Sequence, residues 1–284
     1  MSRSSPGVRR VAAILNFIAD HPGQAFALTD LVRALKLSRA TCHALLTGLV
    51  DVGYLYRTGD KTYVLGPALA AIGRTAADHF SPLQVAQPEM RAIADDFDVV
   101  CGAYFLEGDM MHLRERATSA NHVGYPVPLG TRMPLTTVQA TVFFARAPKD
   151  ATAWLDRNLP DVDQDRREAL AAGMEFVREH GYIALTRRPG VGPTYDNAAP
   201  QLRSARDEPP VMPLLSVDDD AHYPLAAIMA PIYDARGKVS ISLLMAGFHD
   251  AQSGAMLREA GQRLSAACQR VSDFLAGRVA PSTD

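Results

Sequence analysis

Cysteine is scarce in this 284-residue chain, and what there is has no chemical spacing. Cys42, Cys101 and Cys268 stand far apart, form no CxxC pair and are odd in number. That pattern argues against a disulfide framework and against a structural zinc site. Long apolar runs are missing too. Leu225–Tyr233 and Ile241–Phe248 are much shorter than a membrane-spanning helix and fit core strands better. Arg9-Arg10 followed by Val11–Ala19 imitates a secretory leader, but Asn16 interrupts the run, Asp20 ends it and no small-residue cleavage site follows. A cytoplasmic protein with no membrane partner is the expectation. No GxSxG elbow, Walker loop or dinucleotide-binding glycine pattern occurs, so neither an enzyme nor a cofactor is expected.

A strong net charge is also lacking. The total of −2 nevertheless hides an asymmetry. Residues 1–79 carry nine Lys/Arg and five Asp, a net of +4, against 20 basic and 26 acidic groups in the remainder, a net of −6. A basic head on an acidic body implies that the head alone meets a polyanion. The length suits two domains, and 48% hydrophobic residues suffice for a full core in each.

The head spans residues 1–66. Val8, Val11, Ile14, Leu15 and Ile18 recur at helical spacing until His21-Pro22-Gly23. Thr29 is placed to cap a short second helix with Leu31, Val32 and Leu35 inward. Ser38 caps a third that Gly53 closes. Two short capped helices separated by a few residues make a helix-turn-helix. In the third helix Cys42, Leu45, Leu46 and Leu49 share the inner face, leaving Arg39, Ala40, His43, Ala44 and Thr47 outside. Small and polar side chains there suit entry into a major groove, and Ser38 with the first free amides can meet a phosphate. Tyr54–Arg57 and Thr62–Leu65 then frame the turn Thr58–Lys61. This hairpin reads as a wing whose Arg57 and Lys61 reach the DNA backbone. The candidate DNA-contacting set is Ser38, Arg39, Ala40, Thr41, His43, Thr47, Arg57 and Lys61, the partner an operator in double-stranded DNA. Pro67 opens a linker helix over residues 67–80.

The run Val11–Gly73 resembles the DNA-binding part of the IclR family of transcriptional regulators. Ser38, Arg39, Thr41, His43, Leu45, Leu46, Gly53, Tyr54, Tyr63, Leu65 and Gly66 match that family's usual recognition-helix, wing and linker pattern. Ala44 departs from it, standing where many members carry arginine. The resemblance implies dimers through the head, possible tetramers through the body, and a sensor function. Val11, Ile14, Leu69 and Ile72 are the apolar candidates for self-pairing, since one recognition helix reads too little DNA alone.

The body, 81–284, reads as an α+β domain. Strands are expected at Val99–Leu106, Met110–Arg116, His122–Pro128, Tyr182–Thr186, Ala226–Tyr233 and Lys238–Ala246. Helices are expected at Leu83–Phe97, Val138–Arg146, Ala151–Asn158, Arg166–His180 and Ser253–Leu275. Long helices around an antiparallel sheet define the class. The family resemblance continues more loosely through Gly130–Thr137, Met229–Asp234 and Leu244–Gly247, and implies a GAF-like effector-binding domain. An insertion near 187–217 carries six prolines, which argue against regular structure there and for a lid, an interface arm or disorder.

The resemblance sets the effector pocket between the loop Met133–Ala140 and two core strands. Met133, Val138, Ala140, Ile228, Leu244 and Ala246 would supply apolar walls, with Thr136, Thr137 and Gln139 as hydrogen-bonding groups. Relatives with serines at the positions of Leu244 and Ala246 can hold a compact polar acid from two sides. Here such an acid's oxygens would go unpaired, so an organic acid with an apolar body is the expected effector. Asp218–Asp220 with His222, and His112 or His122, lack metal-ligand spacing. The alternative is a ligand-independent DNA-binding protein whose second domain only oligomerises.

Overall fold

The apolar residues three and four apart near the N-terminus wind into α1 (Pro6–Ala19), which buries Ile14 and Ile18. This comes from a computed structural model that describes residues 5–19, 21, 23–79, 81–120, 127–190, 204–207, 209–248 and 250–277. The chain divides into two units, Met1–Ser81 and Pro82–Asp284. In unit 1, β1 (Phe26–Ala27) leads into α2 (Leu28–Leu35), and α3 (Arg39–Asp51) follows after a turn at Lys36, whose φ of 52° is left-handed. The cap of α2 is not Thr29, which lies inside the helix. Instead the Asp30 carboxylate accepts the Ala27 N–H at 3.0 Å. β2 (Leu55–Arg57), β3 (Thr62–Leu65) and β1 form one antiparallel sheet in the order β1-β3-β2. Ile14, Ile18, Leu31, Cys42, Leu46, Leu49, Leu55 and Tyr63 make its core. α4 (Pro67–His79) completes the unit.

Unit 2 opens with α5 (Pro82–Phe97) and is built on a seven-stranded antiparallel sheet. Its strands are β4 (Val100–Glu107), β5 (Met110–Thr118), β6 (Arg132–Pro134), β7 (Ile183–Arg187), β8 (Val211–Leu214), β10 (Leu225–Tyr233) and β11 (Val239–Ala246). Their order is β6-β5-β4-β11-β10-β7-β8. A separate ribbon pairs β9 (His222–Tyr223) with β12 (Gln252–Ser253). α6 (Thr137–Phe143), α7 (Pro148–Asn158) and α8 (Gln164–His180) lie between β6 and β7 in the chain, and α9 (Gly254–Leu275) follows β12. The alternation of side chains along each strand separates two cores. Ile228, Ala230, Ile232, Leu243 and Met245 face α5 and α9. Ala227, Met229, Ile183, Leu185 and Tyr104 face α6, α7 and α8.

The N-terminal helix-turn-helix and the C-terminal antiparallel sheet are as expected from sequence, with two corrections. The insertion is not wholly irregular: Val211–Leu214 returns as β8, paired to β7 from Ala184↔Leu214 to Arg187↔Val211. Pro213 is tolerated because β8 is an edge strand, where a missing N–H can face solvent. The Arg188 N–H and Nε donate to the carbonyls of Pro210 and Pro209, both at 3.0 Å, tying the two limbs together. Of the strand expected at His122–Pro128, residues 122–126 lie outside the described residues, and Val127 and Pro128 are not in a strand.

Candidate DNA-reading surface and effector site

The outer face of α3 is open along its length. Arg39, Ala40, His43, Ala44 and Thr47 are all exposed, while Cys42 and Leu46 opposite are fully buried. Ser38 caps the helix: its Oγ accepts the Thr41 N–H at 3.1 Å and donates to Thr41 Oγ1 at 2.8 Å. The hydroxyl is therefore committed to the cap, and Thr41, half-buried, is held by it. The amides of Arg39 and Ala40 have no intrahelical acceptor in the first turn and stay free to donate.

The wing is set by backbone geometry. Thr58 N–H donates to Thr62 O at 2.8 Å and Lys61 N–H to Thr58 O at 3.0 Å, with Lys61 left-handed at φ 61°. Arg57 and Lys61 are both exposed at its tip. Tyr56 is 60% exposed on the same hairpin and was not singled out from sequence. The signal was there: in a hairpin whose Leu55 is buried, the next residue must face out.

The effector residues separate. Met133, Val138 and Ala140 belong to the core under α6, against which Leu244 packs. Leu244 pairs with Met229 on one side and Gly102 on the other, and Ala246 with Ala227 and Val100. All of these share the α6 face. Ile228 does not: it pairs with Met245 and sits in the core under α5 and α9, so its side chain cannot line a pocket on the other face. Thr136 is fully buried, its hydroxyl donating to Gln139 Oε1, and the Ala140 N–H donates to Thr136 O at 3.0 Å. Those two groups are spent, while Thr137 and the Gln139 amide N–H₂ stay half-exposed. Thr137 and Val138 also line a cleft of about 90 Å³ with Thr141, Leu170, Arg166, Arg188, Pro209 and Pro213.

Leu244 is the notable member. It stands mid-sheet, flanked by strands on both sides, yet is only partly buried, while Leu243 and Met245 beside it are fully enclosed. Arg116 shares its face. Register places Arg116 opposite Gly102, on the row that continues through Leu244 and Met229, and its Nη1 donates to Val127 O at 2.9 Å. It escaped sequence reading because Arg114-Glu115-Arg116 looks like a solvated charged strand.

The groups weighed as metal ligands are structural. His112 Nδ1 is 3.3 Å from Glu107, which also binds Arg114 and Arg132. Asp219 binds Arg258 at 2.8 Å, and Asp218 Oδ1 accepts the Asp220 N–H. His122 lies outside the described residues. Burial pushes the Cys101 thiol up to about 12 and Cys268 well above its ordinary value, so both behave as small hydrophobes.

Residues 7–59 match the IclR helix-turn-helix domain. The HTH-type transcriptional regulator TtgV of Pseudomonas putida is 25% identical over 179 residues, 61% of this chain and 68% of TtgV. The chain thus carries an IclR-type helix-turn-helix domain and is similar to a transcriptional regulator over about three fifths of its length. Solved structures share the fold over nearly the whole chain. The repressor BlcR of Agobacterium tumefaciens superimposes with a TM-score of 0.60, at 19% identity, over 97% of this chain and 99% of BlcR. HmgR of Pseudomonas aeruginosa does so with a TM-score of 0.60, at 19% identity, over 96% and 98%. No helix among the described residues is long and apolar enough to cross a membrane.

Proposed function

We propose that this regulator's affinity for its operator is modulated by a small organic acid with an apolar body, seated on the α6 face of the unit 2 sheet. The partial exposure of Leu244 carries this reading. A leucine at mid-sheet stays accessible only where the layer above leaves room, and the walls there (Met133, Val138, Ala227, Ala246) are apolar or small. Thr137 and the Gln139 amide supply hydrogen bonds to a carboxylate, and Arg116 supplies positive charge on the same face. A few polar groups beside apolar walls are the usual make-up of a small-molecule site.

Calorimetry with benzoate-like acids against glyoxylate and pyruvate tests the class. Tighter binding of the two- and three-carbon acids would refute it. Leu244→Ser should shift preference toward the polar acids, by about tenfold in relative affinity, the worth of one hydrogen bond. DNA contact is assigned to Arg39, Ala40, His43 and Thr47 on α3 and to Arg57 and Lys61 on the wing, with Ser38 and Thr41 as cap. The protein is proposed to work as a homo-oligomer, at least a dimer. Val8 and Ile72, 67% and 49% exposed, offer apolar surface in unit 1, whereas Ile14 is fully buried in the head core and drops out of the self-pairing set.

A further inference from the structure

Unit 2 holds a second cavity, of about 220 Å³, where the sheet runs short. β7 begins at Ile183, opposite Met229, so β10 continues from Ala230 to Tyr233 past the end of its neighbour. The C-terminal end of α8, the turn after α6 and one face of α9 close the gap. Gly181 makes this possible: it ends α8 at a left-handed φ of 77°, and a Cβ there would overlap Ser265 Oγ on α9.

The walls are largely polar and include two arginines, of which Arg146 is exposed at the mouth. Tyr233 is only 8% exposed, yet its phenol O–H has no hydrogen-bond partner among the described residues. Burial raises its pKa, with Arg146 acting the other way, so the phenol is a proton donor at neutral pH. The hydroxyl oxygen is not enclosed, so it is free to meet a molecule that enters the cavity. The Arg146 guanidinium lies 3.9 Å over the Tyr233 ring and forms no ion pair among the described residues. The Ser265 hydroxyl likewise has no partner there. Gln269, one turn along α9, donates to Asp273 at 2.9 Å. Arg178 donates to Ala145 O at 3.0 Å and to Glu175, and His180 Nδ1 is 3.1 Å from Phe176 O. Glu179 is the one acid in the lining.

We infer that this cavity is a second ligand site, for a small oxyanion carried as a carboxylate or a phosphate, held by the Arg146 guanidinium and by the hydroxyls of Tyr233 and Ser265. It is independent of the effector site: it shares none of that site's residues. Guanidinium plus converging hydroxyl donors matches either oxyanion. The cavity's size favours a compact one.

Titration calorimetry of the full chain with inorganic phosphate, and separately with succinate, tests it. Saturable binding of at least one probe is expected, and the stronger probe identifies the source as phosphate-bearing or carboxylic. Arg146→Gln should weaken that binding about tenfold or more, and Tyr233→Phe about fivefold or more. The emission of Trp154, the chain's single tryptophan and buried in unit 2, verifies that both variants remain folded. Leu244→Ser should leave the binding unchanged, which separates this site from the effector site. No saturable binding of either probe up to about 10 mM, or binding indifferent to both variants, overturns the inference.

Discussion

A methyl group on Gly66 would overlap the carbonyl oxygen of Gly53, because the end of the wing passes directly over the end of the recognition helix. Gly66 N–H donates to Tyr54 O at 2.8 Å and Ala68 N–H to Gly53 O at 3.2 Å, so neither chain can retreat without losing a bond. Gly66→Ala should therefore destabilise unit 1 by about 2 kcal/mol or more, as overpacking against backbone does. Thermal unfolding followed by circular dichroism would show it; an unchanged transition would mean the two segments can separate freely. Arg57 and Lys61 act at the same scale in a different way. Each exposed cation that meets a phosphate releases about one counterion, so Arg57→Ala and Lys61→Ala should each lower the salt slope of DNA binding by about 1 and weaken all sequences alike. His43→Ala or Arg39→Ala should instead change which sequence binds best. An unaltered sequence preference in both would remove α3 from base readout.

Between elements, unit 2 is clamped by charge as well as apolar contact. Glu89 on α5 receives Arg270 Nε and Nη2 of α9, both at 2.7 Å, and Arg263 at 3.5 Å. The Arg270 hydrogen bond, followed by its charge and that of Arg263, holds the Glu89 carboxyl below its ordinary range against the effect of burial. A carboxylate stabilised this way contributes above its unfolded pKa, and the contribution is lost as pH falls through the lower folded value. Glu89→Gln should thus cost about 1 kcal/mol at neutral pH, a partly exposed pair being worth little more. That deficit should shrink below about pH 4 and vanish once the native carboxyl is protonated. Unfolding monitored at Trp154 reads the difference, and a deficit independent of pH would assign Glu89 a packing role only.

At this same scale lies the boundary of what the sequence discloses. Helices with a clear 3.6-residue period, such as α1, α3 and α8, and strands bounded by turn residues, such as β2 and β10, are legible because local patterning decides them. β6 and β8 are not: three or four residues with a proline become strands only because a neighbouring edge lies beside them. The recognition face is legible for the same reason as its helix. The effector set was legible only in part, since one residue of register decides whether Ile228 or Met229 looks at α6. That register depends on pairing with β7 and β11 rather than on anything within β10. Arg116 and the Tyr233 cavity were beyond reach, because both arise from pairing between residues distant in the chain.

For the whole molecule, unit 1 is basic and unit 2 acidic, and the proposed function assigns DNA to the first and ligand to the second. Two-fold oligomers let two recognition helices read two half-sites, and light scattering at micromolar concentration should return at least a dimer; a monomer with and without DNA would contradict this. Coupling between the units requires that an acid bound in unit 2 prefer one of the states that unit 1 adopts on and off DNA. Anisotropy titration of a labelled operator fragment by the full chain, with and without a saturating benzoate-like acid, measures that coupling directly. A change of about tenfold in DNA affinity, within the usual range of allosteric coupling, is the result expected, with the same titration on Leu244→Ser losing it for that acid. Identical DNA affinity in the presence of an acid shown by calorimetry to be bound would contradict the account and leave unit 2 as an oligomerisation module.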